Sequence, residues 1–280
     1  MVLTNSVKVH AELEEDYDRT SELKALVDSR LGVKGLVDAG ITKVPWLFVH
    51  QPDKLYMQSD SEADSDTPII NLKGINKDPV LRAEIIDRVR DASEKWGFFQ
   101  VINHGIPESV LDEMINGVLR FFDLVDEVKK ELYSRDPTRK FFYSSNPFPS
   151  STPAGIWCDT VACPMAPEPI DPELIPAVCS HTDICVLTVL LQNEIGGLQF
   201  LHENHWVDVP PIHGALTLLS NDKFRSAKHR VLSKSIGPRI SVPSFFRPTI
   251  DQEDSARRYG PIKELLSEIK PPVYREIKKN

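Results

Sequence analysis

The spacing of apolar and polar positions predicts two long helices and two short strands in the first half of the chain. An Asp-Pro pair at residues 78–79 is typical of a helix start, and apolar residues then recur every three or four positions as far as Trp96. A second helical pattern extends from residue 108 to about residue 133. Short apolar runs at residues 67–72 and 98–102 are typical of buried strands.

The pattern changes to short strands after residue 179. Glycine, asparagine and proline separate the apolar or alternating runs, which follow one another about every ten residues. These runs lie at residues 186–192, 198–201, 206–209, 215–219, 229–233 and 239–246. Evenly spaced short strands with tight turns are typical of a sandwich or jelly roll. A last amphipathic pattern at residues 261–270 predicts a helix near the C-terminus.

These patterns divide the chain into a series of regions. We predict a polar N-terminal extension (1–67), an N-terminal helical region (68–146), a proline-rich connection (147–178), a β-rich core (179–250) and a C-terminal helix and tail (251–280). Residues 1–67 are polar and irregular, and the acidic run at 59–66 is typical of a solvated linker. Eight prolines in residues 147–176 favour an extended connection over a helix or central strand.

Composition and charge narrow the class of protein. The formal net charge of −8 and the lack of a basic cluster argue against a binder of nucleic acid or of an anionic membrane surface. No apolar stretch approaches the length of a membrane span, and no secretory signal is visible. The four cysteines show no regular spacing, which fits reduced thiols. We therefore expect a cytoplasmic protein, and the sequence does not specify its oligomeric state.

His181 and Asp183 are the first candidates for chemistry. They lie two positions apart, so in a strand their side chains point to the same face and can share one metal ion. Because His-x-Asp is frequent by chance, a third ligand is needed, and His229 on a later strand is the candidate. Two histidines and one carboxylate leave three positions open on Fe(II), of which a 2-oxo acid can take two and dioxygen the third.

Arg239 and Ser241 form a second candidate group. They share one face of a predicted strand, and the turn at residues 235–238 predicts that this strand returns beside that of His229. A guanidinium and a hydroxyl together can hold the distal carboxylate of a dicarboxylic cosubstrate. Charge-assisted hydrogen bonds contribute about 1.5–3 kcal/mol each, which is enough to discriminate between organic acids.

The same residues carry a resemblance to a known family. Together with the run WGFFQVINHGIP at residues 96–107, they resemble the plant Fe(II)/2-oxoglutarate-dependent dioxygenases. Residues 32–40 and 195–216 are similar to the 1-aminocyclopropane-1-carboxylate oxidase homologues within that family. The resemblance extends over nearly the whole chain from about residue 20. It implies a mainly β fold with flanking helices, a distorted double-stranded β-helix of the jelly-roll, cupin-like kind.

The resemblance also implies the site and its chemistry. Fe(II) would be bound by His181, Asp183 and His229, and Arg239 and Ser241 would hold the far carboxylate of 2-oxoglutarate. Oxidative decarboxylation of this cosubstrate to succinate and CO₂ would be coupled to oxidation of a small-molecule substrate by dioxygen. The ethylene-forming oxidases of the same superfamily keep a similar Arg-x-Ser and use ascorbate, so ascorbate is the alternative cosubstrate. No catalytic residue beyond the metal ligands is predicted.

Two internal segments of the family pattern are missing, which makes the predicted core incomplete. A helical block and a strand with a Tyr-Tyr-Pro-like sequence are absent before Ser180, and with them the tyrosine that helps hold 2-oxoglutarate. A stretch of strand and turn is absent after Leu216, and only 45 residues separate Asp183 from His229. Losing a central strand leaves buried backbone groups unpaired at about 1–3 kcal/mol each. The alternative function is therefore a catalytically impaired truncated paralogue or splice product that binds at most a metal or a partner. A zinc hydrolase is more distant, since no general base is evident.

Overall fold

The computed structural model describes residues 18–49, 67–136, 139, 141–145, 155–163, 187–220, 228–232, 236–246, 258–259 and 277–278. The chain divides into two compact units, Met1–Phe246 and Arg247–Asn280. In the second unit, β11 (Arg258–Tyr259) pairs antiparallel with β12 (Ile277–Lys278). The helix predicted at residues 261–270 lies outside the described residues.

Short helices occupy residues 19–48, where the sequence predicts an irregular extension. They are α1 (Arg19–Ser29), α2 (Gly32–Asp38) and a 3₁₀ helix (Trp46–Phe48). Their buried side chains form a small core of Leu26, Val33, Leu47 and Phe48. The expectation of irregular structure was wrong here, because each element buries only one or two apolar residues and none shows a period by itself. The acidic run at 59–66 lies outside the described residues.

Asp159 fastens α2 to the rest of the first unit. Its carboxylate accepts hydrogen bonds from the backbone N–H groups of Val33 and Lys34 at 2.8 and 2.7 Å. It also accepts from the hydroxyls of Tyr143, at 3.3 Å, and of Ser145. The pKa of Asp159 is raised from its ordinary value because burial outweighs the lowering effect of these hydrogen bonds.

The predicted helix start at residue 78 is confirmed, whereas the second predicted helix is divided. Asp78 accepts hydrogen bonds from the N–H groups of Val80 and Leu81 and caps α3 (Pro79–Lys95). The pattern from residue 108 onward forms α4 (Glu108–Phe122) and α5 (Asp126–Leu132). Within the described ranges, no helix is long and apolar enough to cross a membrane.

Lys129 explains why the chain can bend between α4 and α5. Its side chain is almost fully buried, and Nζ donates to the carbonyl of Phe122 at 3.3 Å and lies 3.2 Å from Asp126. The ammonium group therefore satisfies a carbonyl at the C-terminus of α4. Both helices place apolar residues against the same core, so the helical period continues across the break.

The main sheet has five strands in the order β1-β2-β8-β5-β10. These strands are β1 (Ile69–Asn71), β2 (Phe98–Ile102), β5 (Leu187–Gln192), β8 (Leu216–Ser220) and β10 (Ser241–Phe246). Only β1 and β2 pair in parallel, and the other neighbours are antiparallel. The gap after residue 216 falls within β8, which pairs with β2 on one side and β5 on the other. The sheet is thus continuous where the sequence predicts unpaired backbone.

A second sheet faces the main one. It contains β6 (Leu198–His202), β7 (His205–Asp208) and β9 (His229–Val231) in the order β7-β6-β9, all antiparallel. Phe98 of β2 stacks on Phe200 of β6 with ring centroids 3.7 Å apart, inside a core cluster that also contains Leu190 and Leu198. The outer face of the main sheet packs against α3 and α4 in a larger cluster. This architecture is the mainly β fold with flanking helices that the sequence predicts.

A separate two-stranded sheet holds part of the proline-rich connection. β3 (Phe142–Ser145) pairs antiparallel with β4 (Asp159–Ala162), outside both larger sheets. Cys163 follows β4 and is disulfide-bonded. The expectation of reduced thiols is therefore wrong for Cys163, since cysteine spacing does not show which side chains the fold brings together.

Candidate active site

The guanidinium of Arg239 is held by three neutral acceptors. Nε donates to the carbonyl of Gly196 at 2.8 Å, and Nη2 donates to Oε1 of Gln192 at 3.0 Å. Nη1 donates to Oγ of Ser241 at 3.1 Å. Because a different nitrogen makes each contact, the plane of the guanidinium is fixed.

Strand register explains why these side chains meet. Ser241 lies opposite Gln192 in the β5–β10 pair, and Leu190, two positions before Gln192, belongs to the core between the two sheets. Alternate residues of a strand share a face, so Gln192 and Ser241 face the space between the sheets. Arg239 lies two positions before Ser241 on the segment that leads into β10. The structure thus brings Arg239 and Ser241 together, as their spacing predicts.

Asn193 fixes the backbone on both sides of Arg239. Its Nδ2 donates to the carbonyl of Pro238 at 2.9 Å, and its Oδ1 accepts from the N–H of Ile240 at 3.1 Å. Its backbone N–H also donates to the carbonyl of Ile240 at 3.0 Å. The end of β5 therefore positions both the backbone and the side chain of Arg239.

The electrostatics of Arg239 suit a carboxylate ligand. Burial lowers the pKa of Arg239 from its ordinary value, and an arginine nonetheless stays protonated. Its hydrogen-bond partners in the described part of the chain are neutral, and Nη1 and Nη2 each retain one further N–H. A desolvated guanidinium with two spare donors fits a bidentate carboxylate.

His229 lies in β9 opposite Phe200 of β6, with the two ring centroids 5.4 Å apart. β9 belongs to the second sheet, whereas β10 belongs to the main sheet. The prediction that the strand of Arg239 and Ser241 runs beside that of His229 was therefore wrong. β9 pairs with β6 in the second sheet, whereas β10 pairs with β5 along its whole length in the main sheet, so the two strands do not meet.

A glycine turn joins the two candidate groups instead. Gly196 accepts a hydrogen bond from Arg239, and Gly197 accepts one from the N–H of Leu232, just after the strand of His229, at 2.8 Å. Both glycines have positive φ, 70° and 94°, which favours residues without a Cβ. The turn between β5 and β6 thus contacts the segments that carry His229 and Arg239.

His181 and Asp183, the other predicted metal ligands, lie outside the described residues. Among the residues that the structure does describe, no group of three or more His, Cys, Asp or Glu side chains could hold a metal ion. The three-ligand iron site therefore remains a prediction, of which the structure places only His229.

The described residues of the first unit line two cavities. One of about 350 Å³ lies between α4, residues 211–214 and the end of β5, where Gln192 and Asn193 line it. Asp112 and His213 at its rim share a hydrogen bond of 2.9 Å. The other, of about 450 Å³, lies beside the end of α1. Neither Arg239 nor His229 lines these two cavities.

Sequence reasoning did not identify Gln192 as a partner of Arg239, or Asn193 as a partner of the residues on either side of Arg239. These contacts span 45 or 47 residues of chain and depend on the register between β5 and β10. The available signal was a polar pair at the end of an otherwise apolar strand.

Comparison with known proteins defines the class. Residues 67–177 match the N-terminal model of non-haem dioxygenases in morphine synthesis, and residues 158–248 match the 2OG-Fe(II) oxygenase superfamily. The chain belongs to this superfamily of non-haem iron enzymes, whose cosubstrate is 2-oxoglutarate. The recognition of the family from its sequence patterns is confirmed.

Several plant proteins are similar over most of the chain. It is 43% identical to a 1-aminocyclopropane-1-carboxylate oxidase homologue of Solanum lycopersicum, covering 94% of this chain and 91% of the relative. It is 38% identical to deacetoxyvindoline 4-hydroxylase of Catharanthus roseus, covering 96% of this chain and 86% of the relative. The alignment with the Solanum lycopersicum protein has 335 positions, but 94% of this chain is only about 263 of its 280 residues. About 70 aligned positions of the relative therefore have no residue in this chain. This agrees with the missing internal segments.

Solved structures show the same fold. JOX2 in complex with 2OG, Fe and JA superposes with a TM-score of 0.57 at 21% identity, covering 88% of this chain and 90% of JOX2. The rice dioxygenase for auxin oxidation superposes with a TM-score of 0.53 at 22% identity, covering 76% of this chain and 92% of that protein. The predicted double-stranded β-helix is therefore confirmed.

Proposed function

We propose that this chain binds Fe(II) through His181, Asp183 and His229 and uses 2-oxoglutarate to oxidise a small organic metabolite. Arg239 and Ser241 would hold the far carboxylate of 2-oxoglutarate. The observation that supports this most strongly is the Arg239 guanidinium, which is partly buried, held by neutral acceptors and, among the described residues, left with two free donors. That donor set fits a carboxylate of the cosubstrate.

Each residue of the proposed site would have a separate role in the reaction. Bound iron would supply the activation of dioxygen, and for a hydroxylation the balance is substrate, 2-oxoglutarate and O₂ giving hydroxylated substrate, succinate and CO₂. Arg239 and Ser241 would orient the cosubstrate by the end remote from the bond that breaks. This anchoring favours a dicarboxylic 2-oxo acid over a monocarboxylic one, because the latter leaves the buried guanidinium unpaired. Phe200 packs beside His229 and limits the tilt of that imidazole.

The names of related proteins and the net charge of the chain both support a small organic substrate. One relative is by name a hydroxylase. Of the solved structures with the same fold, one is a complex with JA and another is a dioxygenase for auxin oxidation. The net charge of −8 disfavours a polyanionic substrate such as nucleic acid.

A catalytically impaired remnant is the second candidate. It is supported by the absence of about 70 aligned positions, including the region that supplies the cosubstrate-binding tyrosine in the family pattern. The second gap does not disrupt the main sheet, because β8 pairs with β2 on one side and β5 on the other. The two candidates therefore differ in turnover and not in whether the described core is assembled.

Release of succinate and CO₂ from 2-oxoglutarate by the iron-loaded protein tests the proposal. We expect measurable turnover that is abolished in His181→Ala and Asp183→Ala and retained in the control His205→Ala, since His205 is exposed on β7 and is not a proposed ligand. Unchanged turnover in the first two variants would overturn the metal assignment. A folded protein that releases no succinate with any tested metabolite would establish the impaired remnant.

A further inference from the structure

Gln192 is a buried side chain whose hydrogen bonds are only half satisfied. It is 9% exposed, and its Oε1 accepts the hydrogen bond from Nη2 of Arg239. Its Nε2 is shielded from solvent and has no acceptor among the residues that the structure describes. The orientation of the amide follows from Arg239, because a guanidinium can only donate and therefore requires the carbonyl end.

The position of Gln192 makes it a firm reference for the guanidinium. It ends β5, whose backbone pairs with β10 as far as Ser241. Gly196 and Ser241 contact Nε and Nη1, so Gln192 is the described residue that holds Nη2. Without it, the guanidinium would be held by two contacts instead of three, and its Nη2 edge would be less closely restrained. A side chain carried on a paired strand fixes such a direction more closely than one on a loop.

We propose that Gln192 is a positioning residue that directs the two free N–H groups of Arg239 towards the far carboxylate of the cosubstrate. The proposal rests on the proposed function and adds a second requirement, that the residue at 192 be neutral. A carboxylate there would pair with Arg239 and compete with the incoming carboxylate. An amide orients the guanidinium and leaves its charge available.

A positioning role and a merely structural role predict opposite orders for the effects of Gln192→Glu and Gln192→Leu on the affinity for 2-oxoglutarate. For a side chain that only fills space, Glu is nearer in shape to Gln than Leu is, so Gln192→Glu would be the milder change. If Gln192 positions Arg239 for an anion, Gln192→Glu is the more severe change. We expect the affinity for 2-oxoglutarate to fall roughly 10-fold in Gln192→Leu and roughly 100-fold in Gln192→Glu, from the strength of hydrogen bonds to charged groups.

Calorimetric titration of the iron-loaded, anaerobic protein with 2-oxoglutarate measures these affinities. A 2-oxo monocarboxylic acid serves as the control ligand, and its weaker binding should be the same in all variants. Gln100→Leu is the matched control variant, because Gln100 is a buried amide of the same sheet that donates to Pro210 and is not among the described partners of Arg239. Equal losses in Gln192→Leu and Gln100→Leu, or a milder effect of Gln192→Glu than of Gln192→Leu, would overturn the proposal.

A second measurement does not depend on the cosubstrate. In ¹⁵N NMR spectra of the metal-free protein, the Arg239 side-chain N–H signals should exchange slowly with water, and exchange should accelerate in Gln192→Leu but not in Gln100→Leu. Unaltered exchange in Gln192→Leu would overturn the positioning role. If the unaltered protein does not bind 2-oxoglutarate while exchange responds as expected, the proposed function fails and the contact between Gln192 and Arg239 stands.

Discussion

Nη1 of Arg239 lies 3.1 Å from Oγ of Ser241, two residues further along the chain. The two side chains share a face because alternate positions of an extended segment do so, and β10 holds that segment against β5. A guanidinium and a hydroxyl are thus already oriented together, which lowers the entropy cost of binding an anion there.

The first prediction concerns the relative weight of these two residues. Arg239→Ala should weaken 2-oxoglutarate binding about 10- to 100-fold, whereas Ser241→Ala should weaken it about 2- to 10-fold, because charge-assisted hydrogen bonds are stronger than neutral ones. Equilibrium titration of the iron-loaded protein measures both. If Ser241→Ala were the more severe change, the hydroxyl and not the guanidinium would be the main anchor.

The second prediction concerns Gly32, at the start of α2. Its φ is +68°, and a Cβ there would overlap Tyr143, Ser145 and Asp159. Gly32→Ala should lower the free energy of unfolding by about 2–5 kcal/mol, from left-handed strain and overpacking together. Gly40→Ala is the matched control, with φ +79° and no atom within 4 Å of the added Cβ, and should cost about 1–2 kcal/mol. Equal losses in urea unfolding would show that the contacts around Gly32 add nothing.

The third prediction concerns the pH dependence that Asp159 confers. Burial raises its pKa above the ordinary value of 3.8, so its contribution to stability is complete below that value and is lost as pH rises through the raised pKa of the folded state. The free energy of unfolding of the unaltered protein, minus that of Asp159→Asn, should therefore decrease as pH rises through this window. Urea unfolding at a series of pH values measures the difference, and an increase with pH would mean that the hydrogen bonds outweigh burial.

The fourth prediction concerns His213 at the rim of the cavity beside α4. Its pKa is raised, mainly by the hydrogen bond to Asp112 and by the charge of that carboxylate, with a smaller effect of Glu108. Asp112→Asn should lower the pKa of His213 towards its ordinary value, and Glu108→Gln should lower it less. NMR titration of the imidazole measures both shifts, and the reverse order would assign the raised pKa to Glu108.

Local features of the sequence predicted most of the fold. The strands near residues 187–192 and 241–246 were found within a few residues, because turn residues bound short apolar runs. The start of α3 was found because an aspartate that accepts two backbone N–H groups is a local signal. The break between α4 and α5 was missed, since the buried Lys129 that contacts Phe122 reads in the sequence as one more exposed charge.

The candidate site was predictable only in part. The contact between Arg239 and Ser241 depends on two neighbouring positions and was found, whereas the contact between Arg239 and Gln192 depends on strand register and was not. The pairing of β9 with β6 was also missed, because strand order in a sandwich is set by the whole chain. His181 and Asp183 lie outside the described residues, and their role stays a prediction.

Binding of Fe(II) and 2-oxoglutarate at one site can be followed by visible absorption. The purified, anaerobic protein is titrated with Fe(II) and then with 2-oxoglutarate, and the visible absorption is followed for the weak charge-transfer band of a chelated iron–2-oxo-acid complex. We predict that the band forms in the unaltered protein, is absent in His181→Ala, and requires much more 2-oxoglutarate in Arg239→Ala. A folded protein that gives no band at saturating iron and 2-oxoglutarate would contradict the account, and would show that the chain has kept the family's fold without its site.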